Sequence, residues 1–203
     1  MKIICIGRNY AEHAKELSNP LPATPVFFMK PESALVRGNL PFFYPSFSND
    51  IHYEVELVLH INKVGRNINI KHAHSYYNAI GIGIDFTARD LQQEMKQKGL
   101  PWECAKAFDY SAPVSEFLPV ENFTDLNNIE FSLNKNDIQV QTGNSADMIF
   151  NFNTIISYVS RFITLKMGDM VFTGTPAGVG PVKIGDKLEG YIGGNKMLLC
   201  NIR

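Results

Sequence analysis

The stretch IHYEVELVL, residues 51–59, has the alternating pattern of a half-buried β-strand and carries two carboxylates. Side chains of a strand point alternately to its two faces, so Glu54 and Glu56 share a face with His52, opposite an apolar face. Taken alone, this pattern favours a solvent-facing polar edge, because antiparallel strands are usually apolar on one face and polar on the other. A second carboxylate-bearing segment opens another interpretation.

The second segment, AIGIGIDFTARD at residues 79–90, is an apolar strand that runs into Asp85. A carboxylate at the end of so apolar a strand is costly to bury unless a partner compensates its charge. An arginine is one possible partner, and the candidates are Arg8, Arg37 and Arg89. If Asp85 instead meets Glu54 and Glu56, each close pair repels by about 4 kcal/mol at roughly 4 Å and an effective dielectric near 20. A divalent cation removes this repulsion, and carboxylates without a cysteine suit a hard ion, Mg2+ or Mn2+.

Composition and charge indicate a single globular domain over residues 1–203. With 45% apolar residues, the chain is long enough to bury roughly 70% of the surface that its unfolded form exposes. Nineteen basic residues against twenty acidic ones give a net charge of -1, and neither sign forms a block. We therefore expect no nucleic-acid partner, since such a partner needs a basic stripe.

The cysteines and the apolar stretches indicate a cytoplasmic location. Cys5, Cys104 and Cys200 are odd in number and far apart, so we expect no disulfide framework, and this usage suits a reducing compartment. The N-terminus has too short an apolar run for a signal peptide. The longest apolar-rich stretch, residues 148–160, is too short to span a membrane, so no membrane partner is expected.

Short β-rich stretches dominate the chain and are separated by turn residues. The predicted strands are 2–6, 25–30, 53–61, 79–85, 129–133, 169–173, 186–192 and 196–202. The predicted helices are 10–17 opened by Asn9, 88–98 with Thr87 as N-cap and Gly99 as stop, and about 153–163. Because strands and helices do not alternate regularly, the pattern favours an α+β or mainly β roll over a doubly wound sheet.

Several motifs together resemble the fumarylacetoacetate hydrolase family, most of all its short acylpyruvate hydrolase and oxaloacetate decarboxylase branch. They are GRNYAEHAKEL at 7–17, HYEVEL at 52–57, GIDFTARDLQ at 83–92, KGLPWECAKAFD at 98–109 and FTGTPAGVGPV at 172–182. The resemblance extends over nearly the whole chain. It implies an α+β fold of the mixed β-roll or barrel type with a few short helices, and a homodimer.

The resemblance also implies a metal site and a catalytic pair. The implied ligands of a magnesium ion, with Mn2+ as the alternative, are Glu54, Glu56 and Asp85. His13 and Glu16 are three residues apart on the first helix, so they are neighbours that can hydrogen-bond, although alone they indicate only a solvated surface pair. In the family, the corresponding helix, 10–17 here, is a lid whose His-Glu pair activates water when it closes.

Further site roles come from the same resemblance. Lys106, which alone reads as a snorkelling surface lysine, would steady developing negative charge, and Gln92 would position the attacking water. The glycine-rich segment 173–180 lacks the Lys-Ser/Thr end of a phosphate-binding loop, which excludes that interpretation. The resemblance implies that Gly174 and Thr175 receive the substrate carboxylate. Positions near the pocket mouth would be Arg8, Tyr10 and Lys30.

Three functions are compatible with these residues. The resemblance implies hydrolysis of acylpyruvates, in which a metal-chelated 2-oxo acid is attacked at C4 by water that His13 and Glu16 activate, giving pyruvate enolate and a carboxylic acid. Oxaloacetate would give the same enolate by losing carbon dioxide. The alternatives are isomerisation or hydration of 2-oxo or 2-hydroxy dienoic acids, and a non-catalytic roll with a structural acidic cluster. The His13 and Glu16 pair favours hydrolysis, because isomerisation needs no lytic water.

Overall fold

The computed structural model describes residues 1–16 and 20–203 and shows an α+β fold built mostly of strands. The strands are β1 Ile3–Gly7, β2 Val26–Lys30, β3 Leu35–Val36, β4 Ile51–Tyr53, β5 Val55–Ile61, β6 Tyr77–Ile84, β7 Thr87–Ala88, β8 Ala112–Pro113, β9 Leu118–Pro119, β10 Glu130–Lys135, β11 Ile138–Asn144, β12 Met170–Phe172, β13 Gly180–Pro181, β14 Lys187–Ile192 and β15 Asn195–Asn201. The α-helices are α1 Ala11–Glu16, α2 Arg89–Lys98, α3 Glu103–Lys106 and α4 Phe152–Val159. Short 3-10 helices cover Glu32–Ala34, Ile70–Tyr76, Val120–Asn122 and Ser145–Asp147.

The strands form open sheets. The largest has the order β2-β1-β12-β5-β6-β9, with β1 and β12 parallel and its other pairs antiparallel. A four-stranded antiparallel sheet has the order β11-β10-β14-β15, and two smaller sheets have the orders β13-β4-β7 and β3-β8. The predicted α+β class is confirmed, and in the described part of the chain no sheet closes into a barrel.

The main core lies between the two large sheets. Leu57 and Ile82 from the first sheet and Leu188 and Leu198 from the second are fully or almost fully buried in one apolar cluster. Burial of each such side chain contributes roughly 1.5–3 kcal/mol. This packing fixes β5 and β6, the two strands on which the acidic residues depend.

The chain changes sheets at Glu54. The predicted strand 53–61 is interrupted there: β4 ends at Tyr53 and pairs with β13 and β7, whereas β5 begins at Val55 and pairs with β12 and β6. The backbone N–H of Asp85, just after β6, donates to the carbonyl of Glu54 at 2.8 Å. Because of this interruption, His52 lies in β4 and does not join the two glutamates. Its Nε2 forms a hydrogen bond with Asp50 Oδ1 at 2.9 Å.

The helix ends differ from the predicted ones because the expected capping residues have other partners. Asn9 does not cap α1; its side chain bonds the backbone of Phe150 and Thr173. Thr87 lies in β7, and α2 begins at Arg89 without a side-chain cap. Gly99 ends α2 in the left-handed region, as predicted, at φ 65°. Leu17, the last residue of the predicted lid helix, lies outside the described residues.

Two further predictions concern the third helix and the cysteines. The helix predicted at about 153–163 is observed at Phe152–Val159, with Asn151 as its N-cap. Cys5, Cys104 and Cys200 are all free, in agreement with the absence of a disulfide framework. Among the described residues, none of the helices combines the length and apolar character needed to cross a membrane.

Candidate active site

Three buried carboxylates meet at the point where the chain changes sheets. One carboxylate oxygen from each of Glu54, Glu56 and Asp85 lies within 4.8 Å of the others. The structure thus brings together the three residues that the sequence predicted as metal ligands. Their backbones are held by the β5–β6 pairing and by the Asp85 N–H to Glu54 carbonyl bond, so their approach does not depend on a flexible loop.

Basic side chains already compensate part of this negative charge. Lys106 Nζ lies 2.7 Å from Glu54 Oε2 and 2.6 Å from Asp85 Oδ2, and Arg89 lies 2.5 Å from Glu54 Oε1. Burial by itself raises the pKa of Glu54, but Lys106 and then Arg89 outweigh it and hold that pKa well below its usual range. An arginine partner for Asp85 was one interpretation of the sequence; the observed partners are Lys106 and Lys30.

Lys106 has no ammonium N–H left for a substrate in this arrangement. Its three donors go to Glu54, Asp85 and the hydroxyl of Thr87, the last at 2.5 Å. Burial lowers the pKa of Lys106, but Asp85 and Glu54 outweigh burial and raise it, so the side chain stays charged. Lys106 can therefore act on a developing anion by its charge, while direct donation would require it to release Glu54, Asp85 or Thr87.

Glu56 is the carboxylate without a cationic partner among the described residues. Its Oε2 accepts the backbone N–H of Gly174 at 2.6 Å. Burial and the neighbouring Asp85 raise the pKa of Glu56 well above its usual value. Asp85 Oδ1, 2.8 Å from Lys30 Nζ, accepts no hydrogen bond, because Lys30 donates to other acceptors. A buried carboxylate oxygen without a hydrogen bond, next to two further carboxylates, suits a hard divalent cation, so the residues present fit such an ion.

Gly174 holds Glu56 through a backbone conformation that favours glycine. Its φ is 104°, and a Cβ at this position would lie 2.6 Å from the Cβ of Asn9. The close approach of Asn9 and the N–H bond to Glu56 together explain why this loop needs a glycine here. Whether Gly174 also receives a substrate carboxylate stays a prediction.

Helix α1 places His13 in the lining of the pocket that the three carboxylates share. His13 Nδ1 lies 3.2 Å from Glu16 Oε2, and the Gly178 N–H donates to both Glu16 oxygens at 3.2 and 3.3 Å. His13 is buried and lines the pocket. Glu16 thus connects helix α1 to the glycine-rich loop through Gly178. That the helix acts as a lid stays a prediction.

The carboxylates face a narrow pocket of about 40 Å³. Its lining includes the predicted residues His13, Glu54, Glu56, Asp85, Lys106, Gln92, Thr175 and Arg8. Gln92 Oε1 accepts from Arg89 at 2.7 Å, and Thr175 Oγ1 accepts from Gln141 at 2.9 Å. Both side chains are therefore held in place by neighbours.

Two predicted substrate contacts lie elsewhere. Tyr10 is buried, packs edge-on against Phe131 and does not line this pocket. Lys30 lies behind the carboxylates, where it bonds Phe86 O and Ser111 Oγ at 3.1 and 2.8 Å. Lys30 therefore supports Asp85 from the protein side, in contrast to the position at the pocket mouth that the sequence indicated.

Other lining residues were not identified from the sequence. They are Ile6, Gly7, Phe28, Lys96 and Trp102. Arg89, in the sequence a candidate partner of Asp85, also lines the pocket and pairs with Glu54 instead. On α2 the spacing of the residues could have indicated the pocket side of the helix. Arg89, Gln92 and Lys96 are three and four residues apart and so share one helix face. The aromatic side chains Phe28 and Trp102 lie far apart in the sequence, and only the folded chain brings them together, 6.1 Å between ring centroids.

Comparison with known proteins agrees with this geometry. Residues 2–201 match the family described as fumarylacetoacetate (FAA) hydrolase C-terminal. The chain is 45% identical over 189 residues to a mitochondrial oxaloacetate decarboxylase of Dictyostelium discoideum, covering 93% of this chain and 87% of the relative. It is 44% identical over 197 residues to an oxaloacetate tautomerase of Escherichia coli (strain K12), covering 97% and 90%. The crystal structure of fumarylpyruvate hydrolase from Pseudomonas aeruginosa in complex with Mn2+ and pyruvate matches with a TM-score of 0.94 at 38% identity, covering 100% of this chain and 89% of that one. The chain belongs to the fumarylacetoacetate hydrolase family, as its motifs predicted.

Proposed function

We propose that this chain is a divalent-cation-dependent enzyme for short 2-oxo acids, which hydrolyses the C3–C4 bond of acylpyruvates to pyruvate and a carboxylic acid. The observation that carries the proposal is that His13, which Glu16 hydrogen-bonds, lines the same pocket as the three carboxylates. Glu54, Glu56 and Asp85 would hold Mg2+ or Mn2+. Such an ion supplies Lewis-acid stabilisation of the negative charge that develops when the bond breaks.

His13 would act as the general base. Its Nδ1–H donates to Glu16, which fixes the tautomer and leaves the second ring nitrogen free to take a proton from water. The hydroxide adds to the C4 carbonyl carbon, the C3–C4 bond breaks, and the electron pair passes to the pyruvate fragment. The proton held by His13 then returns to C3, so the atoms and charges balance.

Gln92, Thr175 and Lys106 would assist this step without taking part in bond changes. Gln92 keeps its amide N–H2 group for water, because its oxygen already accepts from Arg89. Thr175 keeps its hydroxyl proton for a substrate carboxylate, because its oxygen accepts from Gln141. Lys106 contributes positive charge close to the reacting atoms.

Oxaloacetate is the second candidate substrate, supported by the activities named for the two curated relatives. Loss of carbon dioxide from oxaloacetate, or movement of a proton between C3 and the 2-oxo oxygen, needs no lytic water. Both reactions develop an enolate, so the same cationic surroundings would favour them. Isomerisation or hydration of dienoic acids is the alternative function, and the substrate panel described next tests it as well. A homodimer and a cytoplasmic location stay predictions.

The test is a substrate panel followed by ultraviolet absorbance. Acetylpyruvate, oxaloacetate and a 2-hydroxy dienoate are each assayed with Mg2+, with Mn2+ and with excess chelator. The proposal expects acetylpyruvate hydrolysis that the chelator abolishes, and it expects His13→Ala to reduce hydrolysis far more than oxaloacetate decarboxylation. Turnover of the dienoate alone, or equal loss of both reactions in His13→Ala, contradicts it. Lys15→Ala, an exposed change in the same helix, is the matched control.

A further inference from the structure

Gln141 is a buried glutamine of β11 that connects the four-stranded sheet to two segments of the site. Its side chain is only 2% exposed, and its Oε1 accepts the N–H of Val55 at 2.9 Å. Its Nε2 donates to Thr175 Oγ1 and to the carbonyl of Pro176, each at 2.9 Å. The amide oxygen and both amide protons therefore have partners, as a buried amide requires.

The bond to Val55 holds the peptide that follows the first of the three carboxylate residues. The carbonyl of this peptide belongs to Glu54 and accepts the Asp85 N–H at 2.8 Å. Its N–H belongs to Val55 and donates to Gln141. The peptide is thus fixed on both sides, by the end of β6 and by β11. Because Glu54 and Glu56 flank Val55, a rotation of this peptide would change the separation of their carboxylates.

The bond to Thr175 determines where the proton of its hydroxyl group can point. A hydroxyl group has a single proton, and Thr175 Oγ1 already accepts from Gln141. The Thr175 proton therefore stays available to a ligand of the pocket that Thr175 lines. Without a donor on the protein side, the hydroxyl group is free to turn this proton away from the pocket.

A bulge in β11 aims Gln141 toward the protein interior. Two consecutive residues of β10 pair with Gln141 and Gln139, so Val140 between them is an extra residue. Consecutive residues of a strand face opposite sides, and their partners follow: Gln141 is buried, whereas Gln139 is exposed. Bulges that re-aim a side chain are common next to active sites. The bulge thus separates two glutamines of one strand into an inward one and an outward one.

We infer that Gln141 is a positioning residue that holds the spacing of the metal-binding carboxylates and keeps the Thr175 proton available to the substrate. Gln141 does not line the pocket, so it acts through Val55 and Thr175 without touching the ligand. One side chain then couples metal binding to the binding of a 2-oxo acid. This inference rests on the proposed function, since it assumes that Thr175 receives a substrate carboxylate beside the metal.

Calorimetric titration with Mn2+ alone tests the contact to Val55. Gln141→Met removes the acceptor and should weaken Mn2+ binding by about tenfold, the lower end of what changes beside metal ligands cost. Thr175→Val leaves the Val55 contact in place and should change Mn2+ affinity by less than about twofold. Gln139→Met, on the outward side of the same strand, is the matched control. Wild-type Mn2+ affinity in Gln141→Met overturns the inference.

Titration with pyruvate at saturating Mn2+ tests the contact to Thr175. Gln141→Met should weaken pyruvate binding by about tenfold, because a hydrogen bond to a charged group loses its orientation. The same change should cost less than about twofold in a Thr175→Val background, which has no hydroxyl proton to orient. It should cost about tenfold again in a Thr175→Ser background, which keeps the hydroxyl group. Equal losses in both backgrounds overturn the inference, because a merely structural role does not depend on that group.

Gln141→Glu keeps the test available if Gln141→Met does not fold, since its oxygen still accepts from Val55. At alkaline pH the introduced carboxyl is ionised and can only accept, so it draws the Thr175 proton away from the pocket. Pyruvate binding should then fall as far as in Thr175→Val, and wild-type pyruvate affinity overturns the inference. Absence of acetylpyruvate hydrolysis in the wild-type protein counts instead against the proposed function. The Mn2+ and pyruvate titrations need no turnover and still decide the role of Gln141.

Discussion

Asp85 and Glu54 are joined twice: the Asp85 N–H donates to the Glu54 carbonyl at 2.8 Å, and Lys106 bridges their carboxylates at 2.6 and 2.7 Å. The backbone bond fixes the distance between the two residues, and the lysine supplies the charge that makes this proximity tolerable. A bound divalent cation would share that second role. We therefore expect loss of Lys106 to destabilise the protein and an added divalent cation to restore part of that stability.

Lys106→Met should destabilise the protein in the absence of metal. Removing one partner of a buried ion pair leaves uncompensated charge and typically costs about 3–5 kcal/mol. Added Mn2+ should recover part of this loss, because an ion that binds only the folded state stabilises it. The free energy of unfolding, measured by urea denaturation with and without Mn2+, checks both effects. Lys98→Met is the control, and equal stability of the two variants would contradict the proposed charge balance.

Glu16→Gln should weaken hydrolysis while the protein remains folded. Glutamine keeps an oxygen that accepts from His13 or Gly178 but loses the negative charge that supports a protonated imidazole. We expect kcat for acetylpyruvate to fall by about tenfold to a hundredfold, less than the roughly 10²–10⁴-fold of complete acid–base catalysis, because the imidazole itself remains. Glu12→Gln, an exposed change on the same helix, should have no effect. If both variants hydrolyse acetylpyruvate equally fast, Glu16 does not orient the base.

Gly174→Ala should reduce both stability and metal affinity. Alanine would adopt φ near 104° only with strain, and its Cβ would meet Asn9 at 2.6 Å, so the N–H that holds Glu56 must move. The strain corresponds to a cost of about 1–3 kcal/mol. Gly185→Ala separates the two effects, because Gly185 has φ 97° but no neighbouring atom within 4 Å of the position that a Cβ would take. Thermal unfolding and Mn2+ titration of both variants make the comparison; unchanged Mn2+ affinity in Gly174→Ala would argue against the role of this bond.

The sequence predicted the participants of the acidic site better than their surroundings. The apolar approach to Asp85 indicated its burial, but strand alternation alone favoured a solvent-facing edge for Glu54 and Glu56, and only the resemblance to the family joined the three carboxylates in one site. The interruption at Glu54 was not predictable, because it depends on the pairing of β4 and β5 with different sheets. Patterns within one segment do not show that Tyr53 and Val55 pair with strands of different sheets.

Thr87 and Lys30 lie in surroundings other than the predicted ones for the same physical reason. Thr87 has the right position for an N-cap, but its hydroxyl accepts from the distant Lys106 and donates to Asp85 O, so a tertiary contact replaces the local one. Lys30 was predicted near the pocket mouth, yet three buried acceptors and a carboxylate surround its ammonium group. Such long-range compensation of buried charge is invisible to patterns within a single segment.

The central claim is that the three carboxylates hold a divalent cation on which turnover depends. The most direct measurement is the Mn2+ dissociation constant of Glu56→Gln by calorimetry, together with its rate of acetylpyruvate hydrolysis. The exposed Glu103→Gln serves as the control. The account predicts that Glu56→Gln weakens Mn2+ binding by about a hundredfold or more and loses hydrolysis, since even changes beside metal ligands cost 10–100-fold in affinity. Wild-type affinity and wild-type hydrolysis in a folded Glu56→Gln protein would contradict it.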